Sequence, residues 1–364
     1  MKRILLLGDI NSSHLIKWAV SLKKHGAEVG VFSLSKPAND WYTVEKIRAF
    51  IGQENVSSDF KTNDSFKLRY ISALGNLKKS IQSFNPDIVH AHYASSYGLL
   101  GALSGFKNFN ISVWGSDVFS FPRKSIFHRL LLKYNLSKAR IIFSASEIMA
   151  DEAAKYTQTP VHVIPFGVDT DKFHPLNDSP LNERKILIIG AVKSLEPIYA
   201  IDILIKAFAS VSSAQGHQNL RLLIVGDGSL RNSLENLSKE LGLANVDFVG
   251  KVDPFSIPDY HRSIDIFVNV SLMESFGVSV LEAMSCGKPV IVSKVGGLVE
   301  ITDANCAVQV NSGSIEEVEN ALNKLIAHPD LRAEMGKKGR RRVEEKYDWN
   351  DSVEKMMSLY NRMM

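Results

Sequence analysis

The chain of 364 residues is longer than the ~250–300 residues at which a single hydrophobic core stops growing, so two domains are expected. Hydrophobic residues make up 45% and charged residues 23%, which is ordinary for a globular protein, and no run approaches the ~20 apolar residues of a membrane span. Its two cysteines, Cys286 and Cys306, exclude a disulfide framework and match no zinc-binding spacing, and the apolar N-terminal run is too short for a signal peptide, so a cytoplasmic protein is predicted.

The charge is divided unevenly along the chain. Residues 1–178 carry 22 Lys+Arg and 15 Asp+Glu, a net +7, whereas residues 179–364 carry 21 and 24, a net −3, which gives the formal +4 of the whole. A basic N-terminal half indicates an anionic surface or acceptor facing it. Nucleic acid is the competing partner, but the sequence has no recognisable nucleic-acid-binding motif, so we do not expect this protein to bind nucleic acid.

Short apolar runs alternate with helical patterns along the whole chain. In the first half, strands are predicted at Ile4–Leu7, Glu28–Phe32, Asp87–His90, Ile111–Val113, Arg140–Phe143 and Val161–Ile164, with helices at Leu15–Lys24, Leu74–Phe84 and Phe127–Leu136. In the second half, strands are predicted at Lys185–Ile189, Leu220–Val225, Val246–Val249, Ile266–Val270, Pro289–Val292 and Ala307–Val310. This alternation is typical of the α/β class, in which right-handed βαβ units build parallel sheets with helices on both faces. A connector rich in proline, glycine and aspartate, beginning at Pro165, divides residues 1–170 from residues 171–346.

The most informative motif is Glu274-Ser-Phe-Gly-Val-Ser-Val-Leu-Glu282, which continues to the double glycine Gly296-Gly297. A helix that begins after Gly277 offers unpaired backbone N–H groups to a diphosphate. Carboxylates just outside that helix and inside it can accept hydrogen bonds from sugar hydroxyls. Two glutamates at this spacing could equally be surface residues near one helix, but the surrounding glycines favour recognition of a nucleotide sugar.

The run from Val268 to Ile301 resembles the donor-binding signature of the retaining glycosyltransferases of family 4. The resemblance implies the GT-B fold, in which two doubly wound, Rossmann-like domains face each other across a cleft, and a helix in residues 347–364 that crosses back to the first domain. It also implies that Glu274 contacts the donor sugar and Glu282 the ribose. The donor-binding turn between them would then comprise Ser275, Phe276, Gly277 and Val278.

Three more residues of the second half are predicted to bind the donor. The family usually places an arginine and a lysine around the first loop to clamp the diphosphate, but here Lys193 is the only cation of that loop and Tyr199 stands where the lysine is expected. An ammonium binds phosphate as a point charge and a phenol can donate one hydrogen bond. Lys251 belongs to the segment Phe248-Val-Gly-Lys251-Val252, which resembles the strand end whose backbone reads the nucleobase in the family. The alternatives are solvated lysines and an aromatic ring that covers a helix start.

A glycine turn, Gly226-Asp-Gly228, precedes Ser229, a predicted N-cap. The same turn occurs in the family, and tight-turn chemistry accounts for both glycines. It therefore supports the fold more than the site.

The first half offers two candidates on the acceptor side. His92 follows a predicted strand at the carboxyl edge of the sheet, whereas His90 is expected to be buried and hydrogen-bonded. Asp117 lies in a segment that resembles the family's His-Gly-Ser-Asp element, with Trp114 in place of the histidine, and is predicted to bind an acceptor or sugar hydroxyl; the alternative is an N-cap. The first loop, Gly8–His14, is not the dinucleotide fingerprint, which argues against a nicotinamide-dependent oxidoreductase.

The segment Phe121–Tyr134 mixes clustered cations with apolar residues. A basic amphipathic helix of this kind can lie on an anionic membrane surface, such as the inner face of the plasma membrane. The alternative is a domain helix that buries Leu130, Leu131 and Tyr134.

These features together predict a hexosyltransferase-type enzyme that moves a sugar from a nucleoside diphosphate sugar to an acceptor hydroxyl. The resemblance implies retention at the anomeric carbon and no metal or other cofactor. The expected acceptor is a lipid-linked cell-surface polysaccharide, such as lipopolysaccharide, O-antigen or capsule. A nucleotide-sugar epimerase of the same architecture and a non-catalytic binding module are the alternatives.

Overall fold

The computed structural model of the protein describes residues 1–52, 73–176, 186–213 and 219–362. The chain divides into two compact units: unit 1 is Met1–Pro165 with Asp351–Met364, and unit 2 is Phe166–Asn350. None of the helices in the described ranges combines the length and apolar character needed to cross a bilayer.

Unit 1 contains a parallel sheet of seven strands in the order β3-β2-β1-β4-β5-β6-β7. The strands are β1 Arg3–Leu7, β2 Glu28–Ser33, β3 Arg48–Ile51, β4 Ile88–His92, β5 Phe109–Ser112, β6 Ile141–Ser144 and β7 Val161–Val163. The helices are α1 Ser13–Lys24, α2 Trp41–Val44, α3 Leu74–Phe84, α4 Tyr97–Ser104, α5 Ser116–Phe119, α6 Ile126–Lys138 and α7 Glu147–Ala154. A 3-10 turn, Phe121–Arg123, precedes α6.

Unit 2 contains a parallel sheet of six strands in the order β10-β9-β8-β11-β12-β13. The strands are β8 Leu187–Val192, β9 Leu220–Val225, β10 Val246–Gly250, β11 Ile266–Asn269, β12 Val290–Ser293 and β13 Ala307–Val310. The helices are α8 Ile201–Ser212, α9 Arg231–Glu240, α10 Ile257–Ser263, α11 Val278–Ser285, α12 Gly296–Ile301, α13 Ile315–Ala327 and α14 Pro329–Lys346. The last helix, α15 Trp349–Asn361, belongs to unit 1 from Asp351 onwards. A 3-10 turn, Pro197–Tyr199, precedes α8.

Each sheet reverses its strand order beside its first strand. In unit 1, Ile4 of β1 lies opposite Val29 of β2 on one side and Ile88 of β4 on the other. In unit 2, Ile189 of β8 lies opposite Leu222 of β9 and Ile266 of β11. Open parallel sheets bind ligands beyond the carboxyl ends of their strands at such reversals, so each unit has one defined place for a ligand.

Both sheets are buried on their two faces, which explains why their central strands are continuous apolar runs. Ile4, Leu5, Leu6 and Leu7 of β1 have no exposed surface, and β12 is equally buried. Each unit has its own hydrophobic cluster, one around β1 and β4 and one around β8 and β11. The predicted fold class is thus confirmed for each unit: parallel strands, doubly wound, with helices as the crossover connections.

The sequence pattern was incomplete at three elements. Strand β3 was not predicted, because it lies at the sheet edge and is only half-buried. Strand β8 runs on to Val192, three residues beyond the predicted end, while the predicted start at Lys185 lies outside the described residues. Ser229 is not an N-cap: α9 begins at Arg231, and the Ser229 hydroxyl donates to Glu196 Oε2 at 2.6 Å.

Candidate functional site

The loop from Glu274 to Gly277 joins β11 to α11 at the reversal point of unit 2. Gly277 has a φ of +105°, a conformation that requires glycine, and a Cβ there would also have to displace Leu298 Cδ2, 2.6 Å away. Helix α11 starts at the next residue, and the first N–H groups of a helix have no partner within it. This end of α11 can therefore donate hydrogen bonds to an anion.

The double glycine, Gly296-Gly297, holds in place the loop that carries Glu274, which we call the carboxylate loop. Gly296 has a φ of +46°, and a Cβ on it would lie only 1.9 Å from the Glu274 carbonyl oxygen. Gly297 donates its N–H to the same oxygen at 3.0 Å. The start of α12 thus packs directly under Glu274, and the two ends of the long motif form one structural unit.

Lys193 and Glu274 form an ion pair at the same edge of the sheet. Lys193 Nζ donates to Glu274 Oε2, and the two side chains are only 16% and 13% exposed. The ammonium also lies 4.4 Å from the centre of the Tyr199 ring, a cation–π contact. The predicted donor-binding residues Lys193, Tyr199 and Glu274 are therefore brought together.

The position of Lys193 depends on the Gly226-Asp-Gly228 turn. Gly226 has a φ of +137°, and a Cβ there would lie 1.9 Å from the Lys193 carbonyl oxygen. A Cβ on Gly228 would lie 2.6 Å from the Leu195 carbonyl oxygen, and Leu195 donates its N–H to Asp227 O at 3.0 Å. These glycines are needed for close packing against the lysine loop, a role that the turn pattern alone did not indicate.

A narrow pocket at this reversal point is lined by Lys193, Tyr199, Asn269 and Ser279, among others. Asn269 is 5% exposed, and neither its Nδ2 nor the Ser279 hydroxyl has a hydrogen-bond partner among the described residues. Buried polar groups are normally paired, so these two groups are free to bind a polar partner, either a water molecule or a ligand. Sequence reasoning missed both residues, although a polar Asn269 at the end of an apolar strand was a usable signal.

The other predicted donor-site residues lie in different surroundings. Glu282 on α11 is hydrogen-bonded to the buried His261 of α10, with 3.2 Å between Oε2 and Nε2. Phe276 is 5% exposed and packs edge-on against Tyr347 at 6.2 Å, so its ring supports the loop from within the core. The remaining three vary in exposure: Ser275 and Val278 are partly buried, and Lys251 is exposed just after β10.

His92 lies at the carboxyl end of β4, at the reversal point of unit 1, and is 5% exposed. Its ring stacks on His90 at 4.8 Å and contacts Trp114 edge-on at 5.4 Å, and neither ring nitrogen has a partner within the described residues. Burial lowers the pKa of His92 to about 3, so the ring is neutral at physiological pH. His90 is buried and hydrogen-bonded as predicted, to Tyr360 and to Ser112 Oγ at 2.8 Å.

Asp117 makes structural contacts within unit 1, and its predicted contact with a hydroxyl stays a prediction. It is fully buried, and its carboxylate accepts hydrogen bonds from the backbone N–H groups of Ala94, Trp114 and Gly115 at 2.7–3.0 Å. It therefore ties the loop after β4 to the loop after β5. Burial raises the pKa of Asp117, while these amides act in the opposite direction.

A covalent intermediate through cysteine is disfavoured by the surroundings of the thiols. Both cysteines are buried and free, and burial raises the pKa of Cys286 to about 12. Within the described parts of the chain, no cluster of three or more His, Cys, Asp or Glu side chains is arranged to hold a metal ion.

Helix α6 presents apolar side chains to solvent. Phe127 is 77%, Ile126 61%, Leu130 56% and Tyr134 39% exposed. The alternative prediction, that Leu130 and Tyr134 belong to the core, is therefore wrong; the buried face of α6 consists of His128, Leu132, Asn135 and Leu136.

Comparison with known proteins agrees with this architecture. The family model "Glycosyl transferase 4-like" matches residues 3–146, and "Glycosyl transferases group 1" matches residues 172–342. A D-inositol 3-phosphate glycosyltransferase from Gordonia bronchialis is 27% identical, over 98% of this chain and 85% of the relative.

Two solved structures share the fold at low sequence identity. Anabaena Alr3699/HepE in complex with UDP-glucose has a TM-score of 0.78 at 19% identity, covering 98% of this chain and 100% of that one. WaaG, a glycosyltransferase involved in lipopolysaccharide biosynthesis, has a TM-score of 0.73 at 16% identity, covering 98% and 99%. The chain therefore belongs to the glycosyltransferases of the GT-B fold, with a glycosyl transferase 4-like first half and a group 1 second half.

Proposed function

We propose that this glycosyltransferase belongs to family 4 and transfers a sugar, with retention, from a nucleoside diphosphate sugar to an acceptor hydroxyl. The observation that carries the proposal is the group of residues at the reversal point of unit 2. There, Lys193 pairs with Glu274 at the same edge of the sheet as the start of α11. Asn269 and Ser279, whose polar groups have no partner among the described residues, line the same pocket as Lys193. A diphosphate would be bound by the ammonium and by the first amides of α11.

The chemistry of the leaving group suits these donors. As the bond to the sugar breaks, negative charge develops on the diphosphate, and groups fixed in advance stabilise that charge most effectively. Lys193 supplies the positive charge, so we propose that the donor binds without a metal or other cofactor. The fold shared with a protein whose structure contains UDP-glucose supports a nucleotide sugar as donor.

Glu274 and Glu282 would bind the two hydroxyl-bearing parts of the donor. When a diphosphate takes over Lys193, the Glu274 carboxylate becomes available to a hydroxyl of the donor sugar. Glu282, one turn into α11, would accept from the ribose while His261 orients it. Retention follows if the departing phosphate oxygen takes the proton of the acceptor on the same face of the sugar.

The experiment is a panel of UDP-glucose, GDP-mannose and ADP-glucose tested by thermal shift, followed by transfer assays with the donor that binds. A donor that binds the native state raises its stability in a concentration-dependent way. Glu282→Ala should weaken nucleotide binding, and Glu274→Ala should lower turnover more than donor affinity. Isomerised sugar nucleotide without acceptor would indicate an epimerase, tight binding without turnover a binding module, and an inverted product would overturn retention.

We further propose that the acceptor is a lipid-linked saccharide and that α6 contacts an anionic membrane. Its exposed face carries Ile126, Phe127, Leu130 and Tyr134, and α6 contains no acidic residue. Exposed cations within α6 and just before it include Lys124, Arg129, Lys133 and Lys138. Apolar side chains flanked by cations match the interface of an anionic bilayer. The shared fold with WaaG, which is involved in lipopolysaccharide biosynthesis, supports this acceptor class.

The membrane contact is tested by sedimentation with vesicles of phosphatidylcholine alone or with 30% phosphatidylglycerol. Binding should require the anionic lipid and should fall at least about tenfold in the double variant Phe127→Ser/Leu130→Ser. Phe255→Ser is the matched control, because Phe255 is an equally exposed aromatic residue (84%) that belongs to unit 2 and not to α6. Equal binding to neutral vesicles, or equal loss in the control, would contradict the contact. Transfer to D-inositol 3-phosphate but to no lipid-linked sugar would contradict the acceptor.

A further inference from the structure

Lys193 has two neighbours of different character. On one side its ammonium is hydrogen-bonded to the Glu274 carboxylate, and on the other it lies 4.4 Å from the centre of the Tyr199 ring. The lysine side chain is 16% exposed and Tyr199 is half-buried, so solvation of the charge is limited. Both neighbours therefore contribute to holding the ammonium in place.

The turn that carries Tyr199 is fixed against the carboxylate loop. Leu272 donates its N–H to the Ile198 carbonyl at 2.8 Å, and Tyr199 donates its own to Glu196 O at 2.9 Å. Ala200 follows with a φ of +49°, a left-handed conformation that non-glycine residues adopt rarely. The backbone is thus fixed on both sides of Tyr199, which limits where its ring can lie.

A bound diphosphate changes the two contacts differently. It competes with the Glu274 carboxylate for the same ammonium and repels that carboxylate, whereas the uncharged ring can remain in contact. Burial raises the pKa of the Tyr199 phenol, and the charges of Glu274 and Glu196 raise it further, so the ring stays neutral. A lysine at position 199, which the family resemblance would lead one to expect, would instead repel Lys193 in the empty site.

We propose that Tyr199 is the positioning residue for Lys193, holding the ammonium through its ring in both the empty and the donor-bound site. The proposal rests on the proposed function, since it assigns the support of the diphosphate-binding cation. It predicts that the aromatic face, and not the hydroxyl, is required.

The first test needs no ligand. NMR of the full chain with labelled lysine should show the ε-methylene protons of Lys193 shifted upfield by the ring current of Tyr199. The shift should persist in Tyr199→Phe and disappear in Tyr199→Leu. A Lys193 signal without that shift in the wild-type chain, or one unchanged in Tyr199→Leu, would overturn the proposal whatever the nucleotide results.

The second test is a double-mutant cycle on UDP affinity, measured by calorimetry. Tyr199→Phe should bind within about twofold of wild type, and Tyr199→Leu about five- to thirtyfold more weakly, the range of a partly desolvated cation–π contact. In a Lys193→Met background the leucine substitution should have no further effect. Equal losses in both backgrounds, or a loss in Tyr199→Phe as large as in Tyr199→Leu, would overturn the proposal. A wild-type chain that keeps the ring-current shift but binds no nucleoside diphosphate would instead overturn the proposed function.

Discussion

Gly296→Ala is predicted to damage both stability and transfer, because the added methyl group has no room. Position 296 has a φ of +46°, which costs a non-glycine residue about 1–2 kcal/mol. The new Cβ would lie 1.9 Å from the Glu274 carbonyl oxygen, and real contacts of this kind essentially never fall under 3.0 Å. The loop must therefore retreat, with overpacking strain of about 1–3 kcal/mol and loss of the Gly297 hydrogen bond, about 1 kcal/mol. We expect a total loss of about 3–6 kcal/mol in the free energy of unfolding.

Gly313→Ala is the matched control. Gly313 also has a positive φ, +84°, but a Cβ there meets nothing within 4 Å, so only the backbone term of about 1–2 kcal/mol applies. Urea denaturation gives the loss of stability for both variants, and transfer assays give the effect on the site. Turnover should fall at least about a hundredfold in Gly296→Ala, since a displacement of about 1 Å can have that effect, and should be unchanged in Gly313→Ala. Equal losses of stability, or full turnover in Gly296→Ala, would refute the reasoning.

Three further outcomes follow from the described contacts. Glu274→Gln should bind UDP about three- to tenfold more tightly while transferring more slowly, because a neutral side chain no longer competes for Lys193; calorimetry and initial rates check both halves. Asp117→Ala should lower the free energy of unfolding by about 3–5 kcal/mol in urea, because three buried backbone amides lose their acceptor, and a loss under about 1 kcal/mol would contradict the structural role. The free energy of unfolding of the wild type should fall as the pH drops from about 6.5 towards 3. In this range His92 is protonated in the unfolded chain but stays neutral in the folded one, because burial lowers its pKa to about 3. Between about pH 6.5 and 5 the expected decrease in unfolding free energy is about 2 kcal/mol. In His92→Gln, urea denaturation at the two pH values should show a decrease that is smaller by this amount.

Much of the fold could be predicted because its sheets are buried on both faces. Such strands are continuous apolar runs separated by helical patterns, and the predicted positions of β1, β9 and β13 agree with the structure to within a residue. Strand β3 could not be predicted in this way, because an edge strand pairs on one side only and needs no such run. The apolar face of α6 shows the same limit: its pattern indicated an amphipathic helix, but packing decided which apolar residues are exposed.

The candidate site was predictable where motif spacing encodes chemistry, as for Glu274 and Lys193. It was not predictable where a role depends on which groups tertiary packing leaves unpaired. Asn269 could be noticed in the sequence only as a polar residue that ends an apolar strand, and Ser279 not at all. What distinguishes both is that their polar groups have no partner among the described residues and lie beside a pocket. For Asp117 the sequence showed a carboxylate at a motif position, but not that three backbone amides of two loops donate hydrogen bonds to it.

The dependence of the Lys193 loop on Gly226 and Gly228 has a consequence for protein engineering. The carbonyl groups of Lys193 and Leu195 occupy the volume that side chains at these two glycines would fill. If the Lys193 loop alone were replaced by that of another enzyme to change the donor, the new backbone would have to pack against Gly226 and Gly228 of this chain. A loop with a different backbone path would then clash with this turn or leave a gap beside it. The two segments, more than thirty residues apart in the chain, should be exchanged together as a single cassette.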